Sequence, residues 1–432
     1  MIREVLDNGF TVVIQREPRL PLVHVLYAAH AGAMYDPPGK EGLAHLVTQL
    51  LDDGTRHRTE EDITFGVENL GTALALRTSL YLSTVSFTAL ADHVRPLLEI
   101  LADIVQNPVF PEPRVRRERQ RQRAGIQSQL AEPSQVLGRQ VVCKFYEGTP
   151  LGHPVSGFLQ TVESLEREDV ERFHRQHYRP DRSVLILVGD VPESETLSLI
   201  QDLWGLWRGV GAAPPLPGPA PQDRPQSEVF AYPMAVNQVY VALGHLGPRR
   251  RDPEYNALRV FNYVLGGGGF ASRLMKEVRV KRGYAYGASS RITPGIFYPG
   301  TFVVRTETKV ETAHDALQVI RAVLQEIQDR GITPQELRDA QQFYQGAIPR
   351  MTETYGQVAQ ALLDQVLNDL PERFWVRDVE EIQRLELEQV NQVIAGFLKL
   401  DRTTWVLVTD LEAFPLDALG FPGERIHRDP VC

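Results

Sequence analysis

An internal duplication limits the possible folds more than any other feature of this chain. The stretch Asp181-Arg182-Ser183-Val184-Leu185-Ile186-Leu187-Val188-Gly189-Asp190-Val191 recurs as Asp401-Arg402-Thr403-Thr404-Trp405-Val406-Leu407-Val408-Thr409-Asp410-Leu411, without a gap, at an offset of 220 residues. The same offset pairs Leu165-Glu166 with Leu385-Glu386, Glu168 with Glu388 and Val170 with Val390. Each copy reads as a helix running into a β-rich strand. Between the copies, Gly209 to Pro225 is so dense in proline and glycine that it is neither helix nor central strand. With 432 residues, the chain is longer than the roughly 250–300 that one core usually spans. The expected organisation is a first domain over 1–208, a linker over 209–227 and a homologous second domain over 228–432.

Both halves mix strands and helices. Phe10 to Ile14, Val23 to Ala28 and Tyr81 to Phe87 are strand-like in the first half, and Gln238 to Leu243 in the second. A helix is expected from about Pro253 to Leu265, where Gly266-Gly267-Gly268-Gly269 stops it. The fold class is therefore α+β, with two homologous domains, each a β-sheet with helices packed on it.

The charge balance narrows the partners. A formal charge of −9 argues against nucleic acid, which favours a basic footprint. The local run Arg114, Arg116, Arg117, Arg119, Arg121 and Arg123 is interleaved with Glu118 and glutamines and reads as a solvated helix face. No apolar stretch is long enough for a membrane span. The start, Met1-Ile2-Arg3-Glu4-Val5-Leu6, lacks the basic and apolar regions of a signal peptide, so a cytoplasmic location is expected. Cys143 and Cys432 make neither a disulfide framework nor a thiolate zinc site, and Cys143 reads as a buried small hydrophobe.

Two segments carry chemistry. The first is Gly42-Leu43-Ala44-His45-Leu46-Val47-Thr48-Gln49-Leu50-Leu51-Asp52-Asp53-Gly54-Thr55. It resembles the inverted zinc motif of the M16 (pitrilysin, or mitochondrial-processing-peptidase-like) metallopeptidases, His-x-x-Glu-His followed by Gly-Thr. That motif works because helix positions i and i+4 share a face, so two histidines grip one zinc while the glutamate polarises its water. Here His45 stands at the first histidine, Thr48 at the base and Gln49 at the second histidine. The family's third ligand, a later glutamate, aligns with Gly125, reached from Glu118-Arg119. A neutral amide is a poor zinc ligand, and a threonine is no base at neutral pH. His45 is expected to be a partly buried, hydrogen-bonded, inert histidine. His174 and His177, spaced i and i+3 without companion ligands, are expected on a surface helix.

The second segment runs from Gly266 to Gly287 and contains Gly266-Gly267-Gly268-Gly269, Ser272-Arg273-Leu274, Arg279, Gly283 and Tyr286. It resembles the M16 pattern G-G-G-x-x-S-R-L-x-x-x-x-R-x-x-x-G-x-x-Y. The resemblance assigns Arg279 and Tyr286 to substrate positioning and oxyanion stabilisation at the zinc centre of an opposing half or subunit. It places the glycine run beside a substrate chamber. No Gly-Lys-Ser/Thr follows the glycines, so a phosphate loop is excluded. A bend between helix and strand is expected to bring Arg279 and Tyr286 together.

The resemblance thus implies the M16/LuxS-like metallohydrolase fold with most zinc ligands missing and the arginine and tyrosine kept. The reading is a non-catalytic subunit of a heterodimeric M16-type peptidase. It binds no zinc itself, and its zinc-bearing partner acts on a peptide substrate. The alternative is a non-enzymatic structural or peptide-binding homodimer. An active zinc peptidase with unusual ligands is a third reading, which the residues favour least.

Overall fold

The computed structural model describes residues 1–428, so Cys432 lies outside the described residues. The first half of the sequence holds β1 (Ile2–Val5), β2 (Thr11–Arg16), β3 (Leu22–Ala29), α1 (Leu43–Gln49), α2 (Glu60–Glu68), β4 (Ala75–Thr78), β5 (Ser83–Leu90), α3 (Val94–Gln106), α4 (Glu112–Ala131), α5 (Pro133–Phe145), α6 (Leu159–Glu163), α7 (Arg167–His177), β6 (Ser183–Gly189) and α8 (Glu193–Trp204). The second holds β7 (Glu228–Pro233), β8 (Gln238–Leu246), α9 (Tyr255–Asn262), β9 (Ala285–Thr293), β10 (Thr301–Lys309), α10 (Val310–Arg330), α11 (Pro334–Gln345), α12 (Ile348–Met351), α13 (Tyr355–Leu367), α14 (Phe374–Arg384), α15 (Leu387–Phe397), β11 (Thr404–Thr409) and β12 (Ile426–Arg428).

Two compact units form. One comprises Met1–Gln127, His153–Gly218 and Met351–Asp369; the other comprises Ser128–Gly152, Pro219–Arg350 and the chain from Leu370. The first unit's sheet has the order β1-β2-β6-β3-β5-β4, and the second unit's has β12-β7-β11-β8-β10-β9. The duplicated strands β6 and β11 occupy the same place in each. Both are buried along their whole length, pair parallel on one side (with β2 and with β7) and antiparallel on the other (with β3 and with β8). A strand covered on both faces needs an unbroken apolar run, and Val184 to Val188 and Trp405 to Val408 supply it.

Each unit is completed by a helix from the other half of the sequence. In the second unit α5 lays Val136, Leu137, Val141 and Phe145 on Phe230, Tyr232, Ala242, Val303, Val406 and Val408. In the first unit α13 packs on β3 and β6. Its Tyr355 hydroxyl donates to the Glu17 carbonyl (2.7 Å) and accepts from the Leu20 amide (3.0 Å). Residues between α8 and β7 form no regular element. Arg179 donates to the carbonyls of Val210 and Gly211 in the first unit, and Arg224 is held by Glu147 and Glu228 in the second.

Helix α7 has an exposed face, carrying Arg172, Arg175 and Gln176, but His174 and His177 lie on its inward side and not on that face. Val170, Phe173 and His177 form the buried stripe of α7, with His177 only 5% exposed and His174 half-buried beside it. His174 Nε2 bonds the Val105 carbonyl (2.8 Å), and the His177 ring packs on Phe173 and Tyr35. Burial first, and neighbouring arginines after it, push the pKa of His177 down to about 4, so it is neutral at pH 7. No helix among the described residues is long and apolar enough to cross a membrane.

Candidate functional site

The first candidate site is built around α1, where the chain arrives through Gly42 at φ 98°, a backbone shape open to glycine. Asp36 caps the entry. One carboxylate oxygen accepts from the Gly42 amide and the other from the Ala44 amide, each at 2.7 Å. Burial raises the Asp36 pKa well above the usual carboxylate value. Gln122 of α4 donates to the Gly42 carbonyl (3.0 Å) and so ties α4 to the same turn.

Thr48, at the base position, is fully buried. Its hydroxyl lies 2.8 Å from the Ala44 carbonyl, 2.7 Å from Ser83 Oγ and 3.1 Å from the Tyr178 hydroxyl. Ser83 Oγ in turn donates to the Ala31 carbonyl (2.7 Å). The Tyr178 pKa is pushed up to about 12 by burial, so every member of this network is neutral. The position thus holds a closed set of neutral hydroxyls, none of which can take a proton from water. Gln49 is half-buried, and its amide nitrogen donates to the Leu76 carbonyl on edge strand β4 (3.3 Å).

His45 differs from expectation. Its Nδ1 is buried with no hydrogen-bond partner among the described residues, and burial lowers its pKa. It is a half-buried ring that is neutral at pH 7. Gly125 lies on the exposed side of α4, where an added Cβ would meet nothing within 4 Å. The absence of a ligand there is therefore a matter of sequence and not of space. One imidazole, a bonded amide, a locked hydroxyl and a glycine do not make a donor set for zinc, which needs three ligands with an open fourth position.

Burial raises the pKa of Asp52, Asp53 and Glu118 alike, and the Asp53 charge adds to it at both Asp52 and Glu118. Burial and then the Asp53 charge bring Asp52 up to about 6. Arg114, Arg117 and Arg121 counter them from α4. No group of three or more His, Cys, Asp or Glu among the described residues is placed to hold a metal ion.

The second candidate site lies in the other unit. After α9 the helix loosens into a π turn over Tyr263–Gly267, and a second π turn spans Met275–Val280. The glycine run has two separate reasons. An added Cβ at Gly266 would stand 2.3 Å from the Ser290 amide nitrogen of β9. Gly269 has φ +60°. Within the same segment Arg273 is structural, with two 2.7 Å bonds to the Glu336 carboxylate.

Arg279 lies one residue before the end of the second π turn, and Tyr286 is the second residue of β9, the edge strand. The turn at Gly283 folds them together. The Arg279 guanidinium carbon lies 4.5 Å from the Tyr286 ring centre and 4.9 Å from that of Phe270. Tyr286 is 78% exposed and Phe270 65%. Among the described residues no carboxylate pairs with Arg279, which is half-buried between the two rings. Tyr286 also lines a cavity of about 430 Å³ together with Gly266, Gly269, Tyr240 and Leu137. Phe270 is a site residue that the sequence motifs do not single out. Its only signal is an aromatic side chain directly after four glycines, too large to be there for flexibility.

The chain resembles known proteins in sequence and in fold. Residues 164–344 match the family described as "Peptidase M16 inactive domain", and residues 11–157 match "Insulinase (Peptidase family M16)". The chain is 28% identical over 350 residues to an "uncharacterized zinc protease" of Streptomyces coelicolor, covering 80% of this chain and 76% of that protein. It is 21% identical over 413 residues to the "non-peptidase homolog YmxG" of Helicobacter pylori, covering 94% of each. The crystal structure of a peptidase M16 inactive domain from Pseudomonas fluorescens superposes with a TM-score of 0.88 at 26% identity, over 94% of this chain and 98% of that one. A protease from Helicobacter pylori superposes at 0.87 with 20% identity, which speaks to the fold alone, again over 94% and 98%. With two family descriptions covering most of its length and the two-sheet α+β fold in common, the chain belongs to the M16 peptidase family.

Proposed function

We propose that this chain is the non-catalytic subunit of a heterodimeric M16-type peptidase, lending Arg279 and Tyr286 to the reaction at a zinc-bearing partner. One contrast supports the reading. The base position is sealed into a neutral hydroxyl network at Thr48, while Arg279 stands half-buried and without a carboxylate partner among the described residues, between the exposed rings of Phe270 and Tyr286. An unpaired guanidinium and a phenol held side by side suit the negative charge that develops on a peptide carbonyl during hydrolysis. A purely structural role gives no reason to leave the cation unpaired. The substrate peptide would lie extended across the outer face of the second unit's sheet.

The names of the relatives lean both ways, zinc protease and non-peptidase homolog, and the second favours a non-enzymatic peptide-binding protein. Reconstitution separates the two. The purified chain is expected to carry no stoichiometric zinc and to cleave nothing. Mixed with a zinc-bearing M16 subunit from the same source, it should raise cleavage of a quenched fluorescent peptide well above that subunit alone. Failure to associate with any such subunit, or association without a gain in rate, would leave the non-enzymatic reading standing.

A further inference from the structure

The outer face of the second unit's sheet is only partly covered. Helix α5 lies over β7, β11 and β8 and reaches Val303 of β10. Beyond it the face continues over β10 and β9, and there the side chains turn polar. Arg305 of β10 stands directly opposite Ser289 of β9. Arg291, two residues further along β9, shares that face because side chains alternate along a strand. The pKa of Arg305 is held below the ordinary arginine value, first by desolvation and then by the charge of Arg291. Two like charges that feel each other would normally be separated by a carboxylate. Among the described residues neither the Arg291 nor the Arg305 side chain makes a hydrogen bond or ion pair.

The carboxylates of this face lie elsewhere. Glu307 and Glu132 gather at Tyr240 and raise its pKa after desolvation. Glu307 is opposite Gly287, at the Tyr286 end of β9. The face is therefore graded, acidic beside Tyr240 and basic from Ser289 to Arg291. The cavity of about 430 Å³ lies between these ends, floored by Tyr240, Ala288, Ser289, Arg305 and Glu307.

We propose that Arg291 and Arg305 form a carboxylate subsite that makes this chain prefer peptides carrying an aspartate or glutamate. Guanidinium forks take carboxylates with two parallel hydrogen bonds, and a pair left without internal partners is open to an external one. A strand rises about 3.3 Å per residue, so the pair sits roughly 10–17 Å along β9 from Tyr286. The acidic residue would thus fall about three to five positions from the peptide bond held at Arg279 and Tyr286. The register rests on the peptide-binding reading above; the acidic preference is read on this chain alone.

The test is binding of two fluorescein-labelled twelve-residue peptides of alanine, glycine and serine to the full-length chain, without partner or zinc. One carries a central Asp-Asp pair and the other Asn-Asn. Fluorescence anisotropy at low salt is expected to show the acidic peptide binding roughly fivefold to thirtyfold more tightly, two partly exposed charge pairs' worth. The ratio should fall towards one at 0.5 M salt, a concentration chosen as roughly that which screens exposed charges. It should also fall in Arg291→Gln, in Arg305→Gln and most in the double variant, while Arg291→Lys/Arg305→Lys retains part of it. Equal affinities, no binding of either peptide, or a ratio unmoved by the glutamine variants would overturn the proposal. A chain that discriminates the peptides but adds nothing to a partner's cleavage keeps the subsite and loses the role in trans. The reverse pattern loses the subsite only.

Discussion

Replacing Thr48 by valine keeps the side chain's shape and removes its hydroxyl. Thr48 is fully enclosed, so no water can take the hydroxyl's place. Ser83 keeps its bond to the Ala31 carbonyl, and the Tyr178 hydroxyl, buried as well, keeps Ser83 but loses Thr48, its partner at 3.1 Å. One or two neutral hydrogen bonds at about 0.5–1.5 kcal/mol each, with a buried hydroxyl left short, give a loss of about 1–3 kcal/mol. Thr48→Ser, which keeps the hydroxyl and deletes a buried methyl, should cost about 0.5–1.5 kcal/mol. Urea unfolding, with hydrogen exchange at the α1 amides to tie the loss to the first unit, measures both. Coupling is the sharper readout. Thr48→Val with Tyr178→Phe should cost less than the two singles together, by about 0.5–1.5 kcal/mol. Strict additivity, or a valine variant within about 0.5 kcal/mol of the native chain, would refute the network.

Three further outcomes are expected. His45→Leu should leave stability unchanged or raise it by about 1 kcal/mol in thermal or urea unfolding, since it removes a buried Nδ1 that bonds nothing. Gly125→Ala, on an exposed helix face with open space around it, should stabilise α4 by about 0.5–1 kcal/mol in the same assay. Asp52 titrates in the folded chain at about 6, above its value in the unfolded chain, so the folded form holds its proton longer. Its contribution is complete below the unfolded value and is lost as pH rises through 4 to about 6, by on the order of 2–3 kcal/mol. Asp52→Asn should flatten that stretch of the stability profile and leave the chain firmer at pH 7; an unchanged slope between pH 4 and 6 would contradict it.

Much of the fold is legible in the sequence because its strongest signals are local. Val184 to Val188 and Trp405 to Val408 are unbroken apolar runs, and their ungapped repetition by itself marks two equivalent strands. The glycine run stops the α9 region near the expected residue, although the helix ends in a π turn that no periodicity marks. The exchange of α5 and α13 between units is not legible. An amphipathic helix shows that it has a face to bury but not which sheet receives it. A surface position for His174 and His177 does not hold because ligand spacing says nothing about burial. Val170, Phe173, His174 and His177 fall at helical spacing, which is the pattern of a buried face. Arg291 and Arg305 escape a reading along the chain for a related reason, since their proximity depends on the β9–β10 register, which pairs Arg305 with Ser289.

The most direct test of the account is the cleavage rate of the zinc-bearing complex assembled with Arg279→Ala in this chain. Arg279 is not an anchor of either core, so the variant should fold, associate and leave the partner's zinc content as it was. Loss of one donor to a developing oxyanion should then lower kcat roughly 10²–10³-fold. A complex that carries the alanine and cleaves at the native rate would show that the guanidinium between Phe270 and Tyr286 takes no part in the partner's chemistry.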